Sequence, residues 1–188
     1  MGPEKFTEVV RAALTSLPQD MKGLMRVVED SDVDDASRLD AAGALLHLLS
    51  GHNAIPGLRG TPGYIDDIIV MLIVIERAHA RSPDAMKKHQ DDDSPLFGSW
   101  KESCAAMRGY LGDLVKVMEK AADAGNSMSL QGHSALQCVQ VVESSDWLYE
   151  SVIAEIVRLD FPESEVARAA KSVDQILTPL RQKALTKQ

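Results

Sequence analysis

At 188 residues, with 45% hydrophobic and 26% charged side chains, the chain has the size and make-up of one ordinary globular domain with room for a sizeable core. A net charge of −8 and an aromatic content of 4% count against a nucleic-acid binder, which needs a basic face and stacking rings. The same acidity serves solubility, or docking of a basic partner protein.

Phe6, Val9, Val10, Ala13, Leu14 and Leu17 recur at helical spacing, and Pro18 predicts a stop. Met21, Leu24, Met25 and Val28 mark a second, shorter helix. The polar run 29–35 reads as a turn, with Asp34 or Asp35 as cap of a helix through Leu39, Ala42, Leu45, Leu46 and Leu49. Ser50-Gly51 ends it. The loop 51–62 is rich in glycine and proline, and Thr61-Pro62 supplies a cap and a first helical residue.

Ile68–Ile75 carries mostly β-branched residues, which locally favour a strand. The segment runs on into Glu76-Arg77-Ala78, and no second strand offers its backbone a partner. It therefore reads as a central helix over about 62–81, apolar on all sides in its middle.

Residues 82–95 are polar, and the acids at 91–93 read as a solvated break, since they lack calcium-loop spacing. A long helix is expected from Pro95 to Ala124, a second from Ser127 or Ser129 with a kink near 143–146, and a last one after Pro162, disturbed at Pro179. The fold expected is an all-α, single-domain bundle over 1–188, of about six to eight helices around the central one. Cys104 and Cys138 show no metal-ligand spacing and read as free thiols. No leader core is evident, and no apolar run nears the roughly 20 residues of a membrane span, so a cytoplasmic protein is expected.

The densest stretch is 53–67, where Asn53, Ile55-Pro56, Arg59 and Gly63-Tyr64-Ile65-Asp66-Asp67 run into the apolar helix. It resembles the core of the DUF1232 (YkvA-like) family, approximately D-x-I-P-D-x-x-P-x-x-G-Y-[IL]-D-D. Ile55-Pro56 and Gly63–Asp67 match without a gap, while Asn53, Gly57 and Gly60 depart from it. The resemblance spans about residues 40–80. It implies a small helical module, often bacterial, with no established general activity. Some members carry membrane segments, so peripheral membrane contact is an expectation that comes from the resemblance alone.

Neighbours on a helix point about 100° apart, so Asp66 and Asp67 do not share a face. Preceding an apolar helix, at least one is expected to be partly buried and to need partners. The preferred reading is a brace: the acids accept from loop amides or pair with Arg59, and Asp67→Ala costs about 1–3 kcal/mol through unpaired loop donors. The alternative is a metal or acid–base site completed by His47, His52 or Asn53. His47 sits among leucines and His52 in the loop, five residues apart rather than the four of a helical metal pair. His79, His89 and His133 have no ligand-like company. Trp147 and Tyr149, beside Asp146 and Glu150, are candidate interface anchors. No nucleotide or hydrolase motif occurs. The function expected is a non-catalytic protein–protein interaction or self-associating module without a cofactor. The alternative is a metal-binding or hydrolytic protein using His47, His52, Asp66 and Asp67.

Overall fold

The computed structural model describes residues 3–90 and 94–186 and is all-α apart from one two-stranded hairpin. The acidic run 91–93, expected as a solvated break, lies outside the described residues. Helix α1 (Pro3–Glu29) runs unbroken through Pro18, so the expected stop is overturned. Proline removes one amide, but Phe6, Val10, Leu14 and Leu17 before it and Met21, Leu24 and Val28 after it bury one continuous stripe.

Helix α2 (Asp35–Ser50) begins as expected, with Asp34 accepting from the Ser37 amide. It ends at Gly51 in the left-handed conformation, φ 63°. A short 3-10 turn (Thr61–Gly63) leads into α3 (Tyr64–Arg81). Thr61 is not the cap; its hydroxyl donates to Glu165 instead. Every residue from Ile68 to Ile75 is buried, and α3 packs against both α1 and α2. Burial on all sides decides the local strand–helix conflict, since an unpaired strand would leave backbone groups unsatisfied in the core.

Helix α4 (Pro83–Gln90) occupies part of the region expected only to be polar. The long helix expected over 95–124 is divided into α5 (Pro95–Gly98), α6 (Trp100–Leu111) and α7 (Val115–Gly125). Gly112 takes φ 54° at the α6–α7 joint, which breaks the helix there. Strands β1 (Ser129–Leu130) and β2 (His133–Ser134) replace the helix start expected near Ser127 or Ser129. Next come α8 (Ala135–Gln140), capped by Ser134, then α9 (Val142–Arg158), α10 (Glu163–Lys171) and α11 (Leu177–Leu185). Beyond residue 82 the bundle is thus cut into more and shorter helices than expected, while α1 joins two expected helices into one.

One close approach positions the site. A Cβ on Gly43 would meet the Gly125 backbone at 2.7 Å, so α7 lies directly against α2 only because both residues are glycine. His47 follows Gly43 by one helical turn on α2.

Candidate metal centre

The αL ending at Gly51 turns the chain off α2, and the loop brings the first turn of α3 back against the last turn of α2. His47, Asp66 and Asp67 meet there, all buried. His47 Nε2 lies 3.1 Å from Asp66 Oδ2 and 3.7 Å from Asp67 Oδ1. The two acids diverge around the helix, as expected, yet one imidazole between them reaches both. The Ala54 amide donates to Asp66 Oδ2 at 2.5 Å, and Lys183 Nζ donates to the Ala54 carbonyl at 2.5 Å. The loop is therefore held by α3 on one side and α11 on the other.

The cluster has more acceptors than donors. Asp66 Oδ1 is buried without a partner. Asp67 accepts no hydrogen bond from the described residues, and its Oδ1 lies 3.7 Å from the imidazole. Burial, reinforced by the charges of Asp66 and Glu155, pushes the Asp67 carboxyl well above its ordinary value. One nitrogen and two carboxylate oxygens, one from each residue, lie within 4.8 Å of one another. One imidazole and two carboxylates suit a divalent transition ion such as Zn²⁺ or Mn²⁺, and fall short of the six to eight oxygens that Ca²⁺ takes.

The brace expected of the loop exists, but through different atoms. Asp66, not Asp67, accepts the loop amide. Arg59 is exposed and pairs with neither acid. The cost expected for Asp67→Ala through unpaired loop donors therefore moves to Asp66. Ile55 is fully buried, Pro56 is exposed, and Asn53 Nδ2 donates to the Leu58 carbonyl at 2.7 Å. Gly63 packs under the Asn53 amide, where a Cβ would come within 3.3 Å. His52 is exposed in the loop and is not among the three clustered ligands.

Tyr64 donates to Glu155 Oε1 at 3.2 Å; burial first, then the Glu155 charge, pushes its hydroxyl up to about 12. Trp147 is half-buried and stacks on His133, with ring centroids 4.4 Å apart. Tyr149 is exposed. His79 stacks on Trp100 at 4.3 Å, and His89 meets Asp30 at 2.9 Å. Both cysteines are free and buried.

Two clefts flank the cluster. One of about 450 Å³ reaches His47 and is lined by α7 and α11. The other, of about 340 Å³, reaches Asp67 beside Tyr64 and Glu155. Lys183 and Glu155 were not legible as site residues, because each arrives from more than 80 residues along the chain and sits in no local pattern.

No family model, curated protein or solved structure matches this chain. Among the described residues, no helix is long and apolar enough to cross a membrane.

Proposed function

We propose that the protein is a metal-binding helical module that holds one divalent transition ion between His47, Asp66 and Asp67. The observation that carries this is the donor deficit: two buried carboxylates face one imidazole and one amide, with Asp66 Oδ1 unpartnered. A buried carboxylate without donors is expensive, and a cation removes that cost for both acids at once. Three protein ligands leave coordination positions open on the ion, the arrangement that catalytic rather than purely structural zinc sites use. The clefts beside His47 and Asp67 give a small molecule a way in, so hydrolysis is the chemistry such a site would support. The resemblance of 53–67 to the DUF1232 (YkvA-like) family is compatible with this reading, and supplies no activity of its own.

Titration calorimetry of chelator-treated protein with Zn²⁺ and with Mn²⁺ tests it. The expected result is saturable binding of one equivalent of at least one ion, lost in Asp67→Asn and in His47→Gln. No saturable binding, or equal binding in both variants, overturns it.

A protein-docking role is the second reading. It rests on Leu136, Val141 and Val142, which leave apolar surface exposed around the α8–α9 joint. A monomeric mass at high concentration, together with no change in it for Val142→Lys, would remove the self-associating form of that reading.

A further inference from the structure

The cleft over His47 has a chemistry of its own. Lys116 and Lys120 stand one turn apart on α7 and so share a face, and Lys183 enters from α11. His47 and His52 complete the polar lining, with Asp113 as its one acid. Lys116 approaches Asp113 only to 4.0 Å, with both side chains largely exposed, a contact of little strength. Lys120 makes no ion pair among the described residues. A chain of net charge −8 thus gathers three ammonium groups around one pocket, of which Lys183 already donates to the Ala54 carbonyl. Between them the walls are apolar, from Val117, Ala121 and Met128. The volume, about 450 Å³, is that of a small-molecule site.

We infer that this cleft binds a phosphomonoester carried on a small apolar group. The apolar walls take the organic part, and the lysines, as point charges, take the phosphate. A dianion matches the two α7 ammonium groups better than a carboxylate does, because the attraction grows with the ligand's charge. The inference does not need the metal ion: Lys116 and Lys120 act from α7, and neither belongs to the His47–Asp66–Asp67 cluster.

The test is titration of chelator-treated protein with phenyl phosphate, with phenol, benzoate and inorganic phosphate as separate arms. Wild type is compared with the Lys116→Gln/Lys120→Gln double variant, whose melting temperature reports its folding; both side chains are exposed, so the fold is expected to stand. Saturable binding of phenyl phosphate is expected, about tenfold or more tighter than phenol or inorganic phosphate, and weakened about tenfold in the folded double variant. Absence of saturable binding, equal binding of phenol, or an unchanged double variant overturns the inference. Tighter binding of benzoate than of phenyl phosphate overturns the assignment to phosphate. Because the metal is removed throughout, failure here leaves the metal proposal standing, and failure of Zn²⁺ or Mn²⁺ binding leaves this one standing.

Discussion

Asp20 and Asp66 are both carboxylates with no solvent exposure, and their surroundings differ in donor supply. Asp20, in the middle of α1, accepts from Ser16 Oγ at 2.7 Å, Ser94 Oγ at 2.7 Å and the Leu96 amide at 3.1 Å. Both its oxygens are used. Asp40 is served in the same way, by Asn126 on one oxygen and Arg81 on the other. Asp66 has one oxygen served and one bare, and Asp67 beside it has no hydrogen bond among the described residues. The fold supplies buried acids fully where they tie helices together. The deficit at His47 is the feature on which the metal proposal rests, whereas the closed networks at Asp20 and Asp40 are structural ties.

The largest effect is expected at the closed site. Asp20→Ala strands the Ser94 hydroxyl and the Leu96 amide in the core, while Ser16 Oγ keeps the Ala12 carbonyl, and should cost about 3–5 kcal/mol, read as a lowered urea midpoint. A loss under about 1 kcal/mol would show that donor supply does not measure structural role, and the contrast with Asp66 would collapse.

At the open site the ion itself should stabilise. A free concentration about 100-fold above Kd adds about 2.7 kcal/mol to wild type and nothing to Asp67→Asn. Without metal, Asp67→Asn should leave stability unchanged or raise it by about 1 kcal/mol, since it removes a buried like charge beside Asp66 and strands no donor. Asp66→Ala should instead lower it by about 1–3 kcal/mol, through the Ala54 amide. If the two variants behave alike without metal, the division of labour between neighbouring acids is wrong.

Much of this was legible in the sequence, and what was not has physical causes. The cap at Asp34, the end at Gly51 and the apolar girth of α3 are local signals, and each was realised. Pro18 misled because the cost of one lost amide is small against two half-helices burying the same stripe. The break at Gly112 was hidden because glycine is tolerated within helices and only its positive φ ends this one. The acids of the site were visible as a pair ahead of an apolar helix. His47 was visible only as one of three residues that could complete such a site; that His47 rather than His52 meets the acids depends on how the 51–60 loop folds back. The basic cleft was invisible in a chain of net negative charge, since its lysines come together only when α7 and α11 do.

His79 separates a lack of partners from the presence of carboxylates. It is buried, its Nε2 is unpartnered, and burial first, then Lys101, lowers its imidazole to about 4. The unfolded chain takes up this proton first as pH falls below about 6.5, so the neutral ring's contribution is complete above that pH and is lost progressively down to about 4. Urea midpoints at about pH 7 and about pH 4.5 should diverge by about 2–3 kcal/mol less in His79→Phe than in wild type. Zn²⁺ and Mn²⁺ binding should be untouched, since an orphaned ring without acids attracts no cation.

Tyr64→Phe is the smallest and the most discriminating change. The ring keeps its edge contact with Phe161, 5.2 Å between centroids, and loses only the hydrogen bond to Glu155 at 3.2 Å. The expected cost is about 0.5–1 kcal/mol, because the pair is only partly buried. The hydroxyl already donates to Glu155 and stands outside the three clustered ligands, so metal affinity should change by less than about threefold. A loss comparable to that of Asp67→Asn would place the ion in the cleft shared by Tyr64, Asp67 and Glu155 rather than between His47 and the two acids. The contrast between closed and open carboxylates would then hold, with the wrong residues closing the open one.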